Sequence, residues 1–186
     1  GIYLMNSYVE LATDYPTDKD SLDLIRELMS YDVQCEHSCL FARSEIGRIE
    51  QFIGPSPLHW SRQIEWPWAI LESKLDKSHV CLDVGCGWSI FKYALAKRCA
   101  RVLALDNDSD SLWKSLSTCI KLGFSNILHF HSDISSAPLQ ENFYDRIYCL
   151  SVLEHIPNNR LKAVENMVRA LKPGGVLMIT MDVVFQ

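Results

Sequence analysis

The chain has 186 residues, 48% hydrophobic and 22% charged, with a formal net charge of −5. That composition suits one globular domain with a modest extension. The acidic balance, without clustered Lys and Arg or interleaved aromatics, speaks against a nucleic-acid surface. No stretch reaches the roughly 18 apolar residues of a membrane span. No leader-like segment opens the sequence either, although Gly1 stands where a Met would and leaves an earlier segment open. Seven cysteines (35, 39, 81, 86, 99, 119 and 149) form an odd set with no C-x-x-C pair. Most lie in apolar periodic segments, which reads as buried reduced thiols in a cytoplasmic protein. Cys35, His37 and Cys39 would scatter around a helix axis, so no metal is expected there.

Residues 1–20 are polar and irregular, with Asp14, Pro16, Thr17 and Asp18 interrupting any pattern. Asp20 or Ser21 then caps a helix carrying Leu22, Leu24, Ile25, Leu28 and Met29. A second helix is expected over about 33–52, with Leu40, Phe41, Ile46, Ile49, Phe52 and Ile53 along its apolar stripe. Gly54, Pro55, Ser56 and Pro57 break the chain. The most aromatic stretch follows, L-H-W-S-R-Q-I-E-W-P-W-A-I-L over 58–71. Its Trp60, Trp66 and Trp68 either pin a helix on the core or belong to a cover over a site, and both readings stay open.

From residue 79 strand and helix patterns alternate, the signature of a parallel sheet. Strands are expected over 79–84, 101–106, 126–131, 144–150 and 176–181, and helices over about 89–99, 109–122 and 158–171. Gly123 is the C-cap of the second of these helices, and Lys172, Pro173, Gly174 and Gly175 form a turn before the last strand.

The chain is organised around V-C-L-D-V-G-C-G-W-S, residues 80–89. An apolar, partly β-branched run leads into two glycines and then a helical pattern, so a buried strand, a tight turn and a helix start are expected. Gly85 and Gly87 allow positive φ and a close approach of backbone to ligand, and the turn delivers that ligand to the positive end of the next helix. Asp83, a carboxylate inside an apolar strand, needs partners and is read as orienting the loop or a cationic ligand.

This stretch resembles motif I of the class I S-adenosylmethionine (SAM)-dependent methyltransferases, in particular the small-molecule group around the ubiquinone/menaquinone-type enzymes. The resemblance covers roughly residues 79–181 and includes Asp106 at the end of the second strand, H-S-D-I at 131–134, S-V-L-E-H-I at 151–156 and L-K-P-G-G at 171–175. It implies an α/β, Rossmann-like, doubly wound and mostly parallel sheet (76–186) behind an N-terminal helical extension or lid (1–75). The family normally adds a further helix and an antiparallel strand pair after the fifth strand. The core is therefore expected to lack the last strands, with a truncated C-terminus and an open far wall of the substrate pocket. A dinucleotide fingerprint would need Gly or Ala at position 90, where Ile90 stands, which disfavours NAD or FAD.

Asp106 follows Gly87 by 19 residues, the place where an acidic residue takes ribose hydroxyls in nucleotide-binding βαβ units, with Asn107 beside it. The resemblance implies that Asp83, Gly85, Cys86, Gly87 and Trp88 surround the cofactor. It also implies that Asp133 takes the adenine amino group, that Ile134 packs on the ring, and that Leu150 and Ser151 border the methionine end. Asp145 is read as structural. Ser89 replaces a third glycine, small enough to keep the turn and able to cap the helix, while Trp88 narrows the channel.

The expected reaction is in-line methyl transfer from SAM to an O, N or C nucleophile of a small molecule, releasing S-adenosylhomocysteine. His155 is the first candidate base and His59 the second. His129 and His131 share a strand face as packing or surface residues, and Glu154 supports its loop. No D/N-P-P-Y or P-C signature follows the fourth strand, which leaves a small-molecule or peptide acceptor, no nucleic acid and no membrane. The alternative is a module of the same fold that has lost catalysis and binds a partner, a reading that Ser89 and the early C-terminus motivate.

Overall fold

The structure is a computed structural model that describes residues 2–4, 18–35 and 60–181, without the side chains of 2–4, 32–35 and 60. The chain divides into two compact units, Gly1–Ser7 with Leu75–Gln186, and Tyr8–Lys74.

In the second unit, helix α1 (Lys19–Cys35) contacts helix α2 (Trp60–Glu72). The cap of α1 is Asp18, whose Oδ1 accepts the Ser21 N–H at 2.9 Å. The expected caps, Asp20 and Ser21, therefore lie inside the helix, because the carboxylate at Asp18 already serves an orphan amide of the first turn. Leu24, Ile25, Leu28 and Tyr31 are buried. Residues 33–35, expected to open a second helix, continue α1, and the remainder of that expectation lies outside the described residues. In α2, Ile64, Trp66, Ala69 and Ile70 are buried, as is Glu65, which is salt-bridged to Arg62. Among the described residues no helix is long and apolar enough to cross a membrane.

The other unit is a six-stranded sheet. Its strands are β1 (Ile2–Leu4), β2 (Val80–Val84), β3 (Arg101–Asp106), β4 (Ile127–His131), β5 (Tyr144–Leu150) and β6 (Leu171–Thr180). Their order is β1-β6-β5-β2-β3-β4 and every pairing is parallel. Helices α3 (Phe91–Ala96), α4 (Ser109–Leu122) and α5 (Arg160–Ala170) connect the strands. Alternate residues of the strands face opposite sides of the sheet. Leu82, Val84, Ile147, Cys149, Leu177 and Ile179 form a core with Ala163, Met167 and Ala170 of α5. On the other side Tyr148 meets Phe91 of α3 edge to face, 5.3 Å between centroids. Chain order reverses between β2 and β5, the switch point at which open parallel sheets form a ligand crevice.

Three differences from the expected elements have physical causes. Ile2–Leu4, in a region read as irregular, is a strand because it pairs in parallel with Leu177–Ile179 of β6. Strand β6 begins at Leu171, where the register shifts against β5: Tyr144 faces Leu171 but Arg146 faces Val176, so the K-P-G-G turn bulges out opposite Asp145. The bulge is pinned there, because Lys172 Nζ reaches both oxygens of Asp145 at 2.9 Å and Asp145 Oδ2 also accepts the Val80 N–H at 2.8 Å. Burial pushes that carboxyl up, but the Val80 amide and the Lys172 ammonium outweigh it and hold it below its ordinary range. Finally, α3 starts at Phe91 rather than near 89. Its N-cap is Ile90 with no side-chain cap, so Ser89 does not cap it. The Ser89 carbonyl that a continuing helix would use is taken by the Lys92 ammonium. Gly123, by contrast, closes α4 as expected.

Candidate active site

The turn after β2 is fixed by what surrounds it. Gly85 has φ +64°, and a Cβ placed on it would lie 2.4 and 2.8 Å from the two γ-carbons of Val152. Gly87 has φ +46°, and a Cβ there would meet nothing closer than Asp106 Oδ2 at 4.0 Å. The Cys86 N–H donates to the Leu105 carbonyl at 3.1 Å, and the Gly87 N–H donates to Asp106 Oδ2 at 2.7 Å. The other Asp106 oxygen accepts the Asp108 N–H at 2.8 Å. Asp106 thus joins the glycine turn to the end of β3, while the N-cap of α4 is Asp108. Each carboxylate oxygen has two acceptor positions, so Asp106 retains capacity for a ligand hydroxyl.

Above this turn lies a cavity of about 310 Å³, lined by the ends of β2, β3 and β4 and by the segment after β5. Gly85, Asp106, Asn107, Asp133, Ile134 and His155 all contribute to its wall. Asp133 Oδ1 accepts the Ser135 N–H at 2.8 Å, and no bond to Oδ2 is found among the described residues. His155 ends a single 3₁₀ turn, Leu153–His155. That turn is held by Arg160, whose Nε donates to the Leu153 carbonyl at 2.8 Å and whose guanidinium also reaches the Glu154 carbonyl at 3.1 Å.

Other expected positions lie elsewhere. Leu150, Ser151, Gly87, Cys86 and Trp88 do not line this cavity. Ser151 instead ties β5 to β6, its N–H donating to the Thr180 carbonyl at 3.1 Å and to Thr180 Oγ1 at 2.9 Å. Trp88 is exposed, with Lys114 Nζ 4.8 Å from its ring centroid. Cys86 is buried, and burial pushes its thiol up. His59 lies outside the described residues. His129 meets Ser115 Oγ at 2.8 Å and His131 meets the Asn107 carbonyl at 3.0 Å, in keeping with packing and surface roles.

Asp83 is buried, and its Oδ2 has no hydrogen-bond partner among the described residues. Burial pushes this carboxyl up to about 7, against the opposing charge of Lys92 and with help from Asp106. Two residues that matter here carried no signal in the sequence. Val152 fills the space over Gly85, a contact between distant segments. Lys92 sits fully buried in a helix whose six residues are all buried.

A profile of the methyltransferase-domain family matches residues 82–179, more than half of the chain. A parallel sheet of this order, with the glycine turn at its switch point, belongs to the class I SAM-dependent methyltransferases, and the chain is a member of the methyltransferase-domain family. It is 32% identical over 124 residues to the ubiquinone biosynthesis O-methyltransferase of Coxiella burnetii (strain Dugway 5J108-111), an alignment of 67% of this chain and 52% of that protein. The chain therefore spans about half the length of the curated relatives it matches. A SAM-dependent methyltransferase from Aquifex aeolicus superposes with a TM-score of 0.56 at 25% identity, over 62% of each chain. The cyclase SpnF superposes with a TM-score of 0.63 at 19% identity, over 86% of this chain and 59% of that one. The last likeness is one of fold alone, and fold does not name a reaction.

The residues present fit the family's cofactor. Asp106 and Asp133 supply acceptors for hydroxyl and amino donors, Leu105, Ile134 and Ile156 supply apolar wall, and the turn at Gly85 leaves no room for a side chain.

Proposed function

We propose that the chain transfers the methyl group of SAM to a hydroxyl oxygen of a small-molecule acceptor. The observation that carries this reading is the cavity at the strand ends, which gathers Gly85, Asp106, Asp133 and His155 at the switch point of the sheet. In it Asp106 takes the ribose hydroxyls with its unused acceptor positions, Asn107 stands beside them, and Asp133 with Ile134 holds the adenine. When bound, the cofactor supplies an activated sulfonium methyl. The chain orients it, excludes water, and takes the acceptor's proton at His155. The choice of oxygen follows the O-methyltransferases among the relatives.

Calorimetric titration with S-adenosylhomocysteine tests the site. The wild type binds, and Asp106→Ala weakens binding by about 5- to 150-fold, the cost of ligand hydroxyls left without an acceptor. An unchanged affinity removes Asp106 from the site. A wild type that does not bind defeats the enzyme reading and favours a partner-binding module.

A screen of hydroxyl acceptors with methyl-labelled SAM identifies the substrate. On that substrate His155→Ala lowers kcat by roughly 10²- to 10⁴-fold if the imidazole is the base. Wild-type turnover in the variant dismisses that role.

A further inference from the structure

Lys92 lies in the first turn of α3, where side chains lean back toward the helix N-terminus. Its ammonium is fully buried and returns beneath the glycine turn. Nζ is 3.4 Å from the Cys86 carbonyl oxygen, 3.4 Å from that of Gly87, and hydrogen-bonded to that of Ser89. An ammonium has three donors, and three carbonyl oxygens of one loop converge on them. Removing a cation from water costs several kcal/mol unless such partners are built around it. The ring of Tyr93, with its centroid 5.4 Å away, lies alongside.

Gly87 is consequently gripped on both sides of its own residue. Its N–H is held by Asp106 Oδ2 at 2.7 Å and its carbonyl faces Lys92 Nζ at 3.4 Å. The first grip belongs to the cavity wall, and the second comes from inside the protein. Ser89 is fixed through its carbonyl by the same ammonium.

We propose that Lys92 is a positioning residue for cofactor binding, an internal cation that holds the carbonyls of Cys86, Gly87 and Ser89 inward and so keeps the glycine turn and Asp106 in ligand-accepting register. The inference rests on the cofactor reading above. It concerns no contact between Lys92 and the ligand. The loop's carbonyl dipoles are directed at the ammonium, leaving the outer face of the turn for a closely approaching ligand.

The test pairs S-adenosylhomocysteine titration with thermal melting of the ligand-free protein, for the wild type, Lys92→Met and Lys92→Gln. Methionine keeps the length and removes the charge, and replacing a buried ion by an apolar group of similar volume is often neutral or stabilising. The expected result is a Lys92→Met melting temperature equal to or above that of the wild type, together with an affinity reduced at least tenfold. Lys92→Gln, which keeps an N–H donor, recovers part of the loss. An affinity for Lys92→Met within threefold of the wild type overturns the proposal. So does a parallel fall of melting temperature and affinity in both variants, which marks Lys92 as structural only. If Lys92→Met does not fold, Lys92→Gln alone decides, by the same split between affinity and melting. Failure of the wild type to bind defeats the cofactor reading itself and is distinguished by that control.

Discussion

Gly85→Ala is expected to lose S-adenosylhomocysteine binding by at least about a hundredfold, and to lose about 2–4 kcal/mol of stability, within the range of overpacking and backbone-strain substitutions. Two separate costs meet at this position. The left-handed backbone, φ +64°, charges any L side chain about 1–2 kcal/mol. The added methyl would also lie 2.4 Å from a γ-carbon of Val152, a side chain branched at Cβ that cannot swing its end aside. The two parts are separable. Val152→Ala in the Gly85→Ala background relieves the clash and recovers most of the stability, leaving the backbone cost behind. Gly87→Ala is the internal control, because its Cβ meets nothing within 4 Å except Asp106 Oδ2 at 4.0 Å and bears the φ cost alone. Denaturant unfolding and calorimetry on the four proteins check this. Equal behaviour of Gly85→Ala and Gly87→Ala would remove the Val152 contact from the account.

The second large effect is a pH dependence centred on Asp83. Its folded carboxyl titrates at about 7 against an ordinary 3.8, because burial disfavours the charged form more than Lys92 restores it. Between those values the native protein holds a proton that the unfolded chain has released. Stability therefore falls as pH rises through this window, by at most about 1.4 kcal/mol per pH unit, and levels off above it. Asp83→Asn imitates the protonated carboxyl and abolishes this slope. The variant should match the wild type below about pH 4 and exceed it at pH 8 by an amount on the order of a few kcal/mol. Urea unfolding of both ligand-free proteins across that range measures the difference. Parallel curves would show that Asp83 is ionised throughout.

The sheet was legible because strand and helix patterns alternate from residue 79 onward. Arg101–Asp106, Ser109–Leu122 and Tyr144–Leu150 match expectation residue for residue. Where local pattern met tertiary demand, the reading slipped. A three-residue strand such as Ile2–Leu4 is too short to show alternation, and its pairing with β6 depends on residues at the far end of the chain. Helix α3 starts after Ile90, and the Ser89 carbonyl before it accepts from Lys92, a contact made by a residue three positions on. Gly85 and Asp106 were placed by the glycine turn and the strand end, and Asp133 by the resemblance; the three line one cavity because strand ends in a parallel sheet share one rim. Leu150 and Trp88 come from the resemblance and Ser151 also from its place at a strand end; none of the three lines this cavity, the Ser151 N–H being bonded to Thr180 and Trp88 lying beside Lys114. Val152 and Lys92 act through contacts that no spacing rule encodes.

The pairing of Ile2–Leu4 with Leu177–Ile179 has a consequence for how the protein is made. On the ribosome the earliest of these segments emerges long before its sheet neighbour among the described residues exists, whereas β2 and β3 meet almost as soon as both are out. The nascent chain must therefore complete the interior of the sheet first and add its outer border last. Until then β6 displays a row of unused amides and carbonyls, a surface to which other chains readily adhere. A border joined so late, by so few residues, is also the place where the finished protein opens first.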